Sequence, residues 1–146
     1  MKVAPYIRKT NYYETDQMGI IHHANYIHYF EEARVDFVDK IGYPYEKSCN
    51  LGIDFGLLSL NCEYKKMVRF GDVIEIYCSI SQISGARMTV NYRILDQKTG
   101  ELMAIGSTKH FYYDNKNKKT INLRKEVPEL YSLLKSYQEP NLEEDG

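Results

Sequence analysis

Between Tyr26 and Ile41 the apolar residues Ile27, Phe30, Phe37, Val38 and Ile41 recur at helical spacing. Tyr26 and Ala33 widen this stripe, and Glu32, Asp36, Asp39 and Lys40 fall opposite it. One long helix is therefore predicted, stopped at Gly42 and kept from resuming by Pro44. Beyond it the period shortens to two. Leu58, Leu60, Cys62 and Tyr64 alternate with Ser59, Asn61, Glu63 and Lys65; Ile74, Ile76, Cys78 and Ile80 alternate with Glu75, Tyr77 and Ser79. Met88, Val90, Tyr92 and Ile94 share one side of a third run, and residues 101–114 form a fourth. Segment 5–14 reads as a strand ahead of the helix, and 126–137 as a short terminal helix whose first turn tolerates Pro128.

The links between the later runs, at 69–72, at Ser84-Gly85 and at 96–100, are too short for a parallel crossover. They predict an antiparallel meander. A lone amphipathic helix has to bury its stripe against one face of that sheet. The fold class is thus α+β, with an antiparallel sheet of about five strands wrapped around one long central helix and a short C-terminal helix added.

The chain has 146 residues, a length that suits a single core, so one domain is expected over 1–137, with the acidic stretch 138–146 fraying. A net charge of -1 supplies no broad positive field, and a nucleic-acid partner is not expected. No run approaches the ~20 apolar residues of a membrane helix, and the first residues lack an apolar run of signal-peptide length. A soluble, cytoplasmic protein with no membrane span is the expectation. Cys49, Cys62 and Cys78 form no C-x-x-C pair and are read as reduced, mostly packed thiols.

Candidate chemistry concentrates in residues 13–34. His22, His23 and His28 lack the Cys or carboxylate spacing of a familiar zinc site, so no metal is expected, and isolated His110 reads as a packing or surface residue. There is no Gly-rich phosphate loop and no G-x-S-x-G, so neither a cofactor nor a serine-hydrolase route is indicated. Asp16 precedes the predicted helix. In isolation an Asp there is a turn or capping residue, yet its side chain is of a kind ionised at neutral pH, and the helix start offers unpaired N–H groups and a positive dipole end. Arg34 falls inside the apolar stripe with Glu31 at its edge, a placement that favours an i,i+3 ion pair.

Tyr13-x-Thr15-Asp16-x-x-Gly19, His23-Ala24-Asn25-Tyr26 and Glu31-x-x-Arg34 together resemble the signature of hot-dog-fold acyl-CoA thioesterases. The nearest branch is the 4-hydroxybenzoyl-CoA thioesterase type with its short-chain acyl-CoA thioesterases. The likeness in element order runs from about Tyr6 to about Tyr113, and Arg69-x-Gly71-Asp72 falls at a family turn. This resemblance implies hydrolysis of an acyl-CoA to a carboxylic acid and CoA. Asp16 would serve as base or nucleophile, the His23 backbone N–H would polarise the carbonyl, and the His23 side chain would contact the thioester or orient water. Gly19 would let the chain turn, while Asn25, Tyr26 and Glu31 would help bind substrate. Lys65, Lys66, Arg69 and Arg87 are candidates for the coenzyme phosphates, or simply solvated charges. The family also implies a homodimer with a continuous sheet, paired into a homotetramer, with each site between chains. Two alternatives stay open: a non-catalytic acyl-CoA-binding module, and a hot-dog hydratase or dehydratase.

Overall fold

The computed structural model describes residues 3–140. After strand β1 (Tyr6–Lys9) and a 3-10 turn (Tyr12–Glu14) comes helix α1 (Asn25–Lys40), then a short helix α2 (Tyr45–Leu51) and strands β2 (Ile53–Tyr64), β3 (Val73–Ile83), β4 (Arg87–Asp96) and β5 (Leu102–Asp114). A two-residue β6 (Lys119–Thr120), helix α3 (Leu123–Glu126) and helix α4 (Pro128–Ser136) complete it. The sheet is antiparallel in the order β1-β3-β4-β5-β2, with β6 added to β5. This is the hot-dog architecture, an α+β fold in which a curled sheet holds one long helix.

Three expectations about the secondary-structure elements need correction. The meander covers only β3, β4 and β5, because β2 pairs with β5 and not with β3. Residues 65–72, which extended would reach roughly 25 Å, carry the chain across the end of the curled sheet, pinned where Val68 O accepts Ile21 N at 2.8 Å. The helix stripe is also turned slightly from its expected phase: Tyr26, Tyr29, Phe30, Ala33 and Phe37 are buried, while Ile27 is 39% exposed. The first strand is short as well, giving way after Lys9 to the 3-10 turn. Segment 45–51 adds a helix that the residue pattern did not announce.

Packing between α1 and the sheet centres on Phe30, whose ring stacks on Tyr92 at a centroid distance of 4.4 Å. Gly106 on β5 makes this approach possible, since a Cβ there would lie 2.5 Å from the Phe30 ring. Behind α4, Leu130 and Leu134 are buried, and the following Gln138 and Glu139 bond to β3 through Ser81 O and Ile80 O. The stretch expected to fray therefore begins inside the fold, and its residues 141–146 lie outside the described ones. Cys62 and Cys78 are half-buried, but Cys49 is exposed, so packing does not extend to all three thiols. No helix among the described residues is long and apolar enough to cross a membrane.

A polar thread runs through the core. Arg34 Nη1 donates to Tyr92 Oη at 3.0 Å, Tyr92 Oη and Thr108 Oγ1 lie 2.7 Å apart, and Thr108 Oγ1 meets His110 Nε2 at 2.7 Å. Arg34 thus reaches the sheet, and the expected ion pair with Glu31 is absent among the described residues. His110 is fully buried, its Nδ1 has no hydrogen-bond partner, and burial together with the Arg34 charge pulls the imidazole down to about 4. The unfolded chain takes up this proton near pH 6.5 and the folded chain only near pH 4, so stability is lost as pH falls through that window. Between pH 7 and pH 4 the wild type should therefore lose roughly 3 kcal/mol more unfolding free energy than His110→Leu. A gap independent of pH would show that His110 protonates alike in both states.

Candidate active site

The loop between β1 and α1 is built around a buried carboxylate. Glu14 is 4% exposed; its Oε1 accepts from Asn11 N at 2.7 Å, Tyr29 Oη at 2.9 Å and Arg8 Nη1 at 3.1 Å, and its Oε2 accepts from Arg8 Nη2 at 2.7 Å. Arg8 also donates from Nε to Glu32 Oε1 at 2.9 Å and lies over the Tyr29 ring at 5.1 Å. Burial works against the Arg8 charge, but the bonds to Glu32 and Glu14 outweigh it and hold the guanidinium above its ordinary range. The Tyr29 phenol is raised by burial and by its bond to Glu14. An ionised group out of water is tolerable only when paired and hydrogen-bonded in this way.

From Glu14 the backbone passes into a tight loop. Thr15 bridges Ile21, Asp16 N donates to Ile20 O at 2.8 Å, and Gly19 N donates to Asp16 O at 3.1 Å. Gly19 sits at φ +77°, in the left-handed region that a side chain disfavours. Asp16 is half-exposed and its Oδ1 accepts from Met18 N at 2.8 Å, the bond of an ordinary turn Asp. Its Oδ2 has no bond to the chain among the described residues.

The helix entrance is tied to the same loop. Glu14 O accepts from His22 N at 2.9 Å and from Asn25 Nδ2 at 2.8 Å, and Asn25 Oδ1 meets His28 Nδ1 at 3.3 Å. Ala24 N donates to His22 Nδ1, Asn25 N to His22 O and Tyr26 N to His23 O. Of the amides from 21 to 26, the His23 N–H is the one with no acceptor among the described residues. It lies at the positive end of a helix of sixteen residues, the usual place for an anion or a developing oxyanion. Tyr64 Oη donates to His23 O at 2.9 Å, fixing the peptide on its other side.

Asp16, Gly19, His23 and Asn25 thus belong to one hydrogen-bonded hairpin and its helix junction. Arg69 joins them through its bridge to Ile20, and Lys65 follows directly on Tyr64. Tyr26 is a core residue, 3% exposed, with its ring edge-on to Tyr64 at 4.8 Å. Arg87 lies elsewhere: it pairs with Phe111, which pairs with Gly56, whereas Tyr64 pairs with Ala104. At about 3.3 Å per residue along β5 this separates Arg87 from the loop end of the sheet by roughly 20 Å within one chain. Lys66 is paired with Glu101. Glu31 lines an open groove of ≈ 600 Å³ with Tyr6, Glu32, Asp36 and Asp39, a lining that includes neither Asp16 nor His23. That acidic surface repels phosphates.

His22 and His23 stack ring on ring at 4.1 Å, and no group of three His, Cys, Asp or Glu among the described residues comes together as a metal site. Residue-type reasoning passed over Glu14, Tyr29 and Tyr64. The spacing Asn11-x-x-Glu14, an acid positioned to reach back to the start of a turn, was the available signal for the first.

Residues 11–130 match a family model described as the thioesterase-like superfamily. An Aquifex aeolicus (strain VF5) protein provisionally named an esterase is 38% identical over 125 residues, 86% of this chain and 94% of that one. A Bacillus subtilis (strain 168) protein provisionally named an acyl-CoA thioesterase is 29% identical over 124 residues, 85% of this chain and 89% of that one. Among solved structures, a DHNA-CoA thioesterase from Staphylococcus aureus superposes with a TM-score of 0.85 at 30% identity, covering 91% of this chain and 89% of that one.

A Cβ at Gly19 would touch nothing within 4 Å, so its φ alone opposes a side chain there. Gly19→Ala should lower the unfolding free energy by about 1 kcal/mol in urea titration; an unchanged midpoint would show that the loop relaxes freely.

Proposed function

The chain belongs to the thioesterase-like superfamily, and from that premise we propose that it hydrolyses an acyl-CoA thioester to a carboxylic acid and CoA. The observation that carries this reading is the uncommitted His23 N–H at the helix entrance, in the same hydrogen-bonded unit as the Asp16 loop. The names of the Bacillus and Staphylococcus relatives support the reaction class.

In the proposed reaction the thioester carbonyl oxygen accepts from His23 N–H and from solvent or substrate-ordered donors as negative charge builds on it. One such donor is worth roughly 2.7 to 4 kcal/mol of barrier. Asp16 takes a proton from a water that adds to the carbonyl carbon; the C–S bond breaks and CoA leaves as thiolate, then picks up a proton. If Asp16 adds directly, a mixed anhydride forms and water cleaves it, with the same products. The helix dipole favours the charge in both routes.

A second copy of the chain is part of this reading. β2 is an edge strand of twelve residues, paired among the described residues only to β5, with Leu57 and Leu58 exposed at 55% and 44%. Edges of this length and character invite pairing. Antiparallel pairing of β2 with the same strand of a second copy reverses the ends of the sheet, which brings the end carrying Arg87 of the partner subunit toward the loop of the first. Arg69, Lys65 and that arginine are then the proposed phosphate contacts, with Gly19, Asn25 and the His23 ring around the thioester. Dimers of this kind pair further into a tetramer.

Asp16→Asn keeps the side chain's size and removes its basicity. CoA thiol release from a panel of aliphatic and aromatic acyl-CoAs should show kcat lower by at least about 100-fold with the thermal midpoint unchanged. Undiminished turnover in the variant would take Asp16 out of the reaction, and a wild type that binds acyl-CoA without releasing thiol would leave a binding module.

A further inference from the structure

We propose that Glu14 is a positioning residue, which aligns Asp16 and the His23 N–H by gripping strand, turn and helix at once. Four donors from three elements converge on its carboxylate: two guanidinium nitrogens of Arg8 on β1, the Asn11 amide in the turn and the Tyr29 hydroxyl on α1. Its carbonyl takes two more, His22 N and Asn25 Nδ2, at the helix entrance. Asp16 follows two residues later along the chain, and His23 follows directly on the His22 amide that Glu14 holds. The two proposed reacting groups therefore hang from the same residue, one by covalent connection and one by a hydrogen bond.

Glu14 is 4% exposed, so it touches no substrate and acts only through these neighbours. The type of side chain matters. A carboxylate accepts from all four donors, whereas the amide of Gln offers one acceptor oxygen and places its own N–H groups against Arg8 or Tyr29. Glu14→Gln preserves volume but leaves donors facing donors, and the loop must shift to separate them. A displacement of about 1 Å suffices to misalign a nucleophile and an oxyanion donor, an effect that falls on kcat while substrate affinity survives. The inference rests on the hydrolase reading for its kinetic consequence and on the hydrogen bonds alone for its structural one.

The test uses the full chain with Glu14→Gln, Tyr29→Phe and the double variant, assayed for CoA release well below each thermal midpoint. Glu14→Gln should lower kcat by about 10- to 100-fold with KM within about twofold. Tyr29→Phe, which removes one of the four donors and keeps the Glu14 carboxylate, should lower kcat several-fold and quicken exchange of 15–23 to a smaller extent, and in the double variant it should add little to the loss, as for two members of one unit. Leu134→Ala, a cavity variant under α4, supplies a destabilised control that keeps wild-type kcat. Amide hydrogen exchange of segment 15–23 should quicken in Glu14→Gln while β4 and β5 stay protected. Wild-type kcat in both Glu14→Gln and Tyr29→Phe, equal loss in Leu134→Ala, or unchanged exchange of 15–23 would each overturn the role. Should Glu14→Gln fail to fold, unchanged kcat and exchange in Tyr29→Phe overturn it alone. A wild type without thiol release sinks the hydrolase reading instead, and the exchange experiment still decides the role of Glu14.

Discussion

A carboxylate shut away from water at the meeting point of a strand, a turn and a helix can stay there only while its donors all face it. Glu14 meets that condition through Arg8, Tyr29 and the Asn11 amide, and each comes from a different part of the fold. The constraint works in both directions. The buried charge ties β1 to α1, and the loop that carries it takes a path into the helix held by the bonds of His22 N and Asn25 Nδ2 to Glu14 O. Everything proposed for Asp16 and the His23 amide depends on that path.

The rest of the molecule keeps α1 in place for this arrangement. Phe30 lies flat on Tyr92 and close over Gly106, so the helix sits nearer to the sheet than a side chain at position 106 would permit. Arg34 points from the helix into the sheet toward Tyr92, and the chain continues by hydroxyls to His110. Satisfied polar contacts of this kind restrict how two layers can slide past each other. At the far side of the helix entrance Tyr64 reaches from β2 to the His23 carbonyl. His23 is thus held by its own carbonyl, and the peptide before it by the bond of Asn25 N to His22 O, while the His23 N–H stays uncommitted.

Where one face of an element is buried and the other wet, the residue pattern reported it faithfully. Ile74, Ile76, Ile80, Met88, Val90, Tyr92 and Ile94 are all buried, each in the phase that alternation assigns. β2 failed that reading because it is an edge with a bulge at Leu57 to Ser59, and Leu58 and Tyr64 stay exposed in the single chain. Its place beside β5 was hidden for another reason: a short connection says that strands run antiparallel, not that they touch. Tyr29 enters the core and Ile27 does not, although hydropathy ranks isoleucine above tyrosine, because a phenol with a buried carboxylate to bond to is readily buried. The loop residues Asp16, Gly19, His23 and Asn25 were legible as one block through family resemblance. Glu14 was not, because the worth of a buried charge lies in partners that only the folded chain assembles. Charge alone points to Arg87, and charge carries no information about which end of a sheet a residue occupies.

In the proposed reaction a thioester carbonyl is held between the Asp16 carboxylate and the His23 amide. A crystal structure of the protein with an acyl-CoA analogue in which a methylene replaces the thioester sulfur tests it most directly. The carbonyl oxygen should lie about 3 Å from His23 N, with an Asp16 oxygen facing the carbonyl carbon or a water beside it. A well-ordered analogue whose carbonyl sits away from both groups in every copy would contradict the claim.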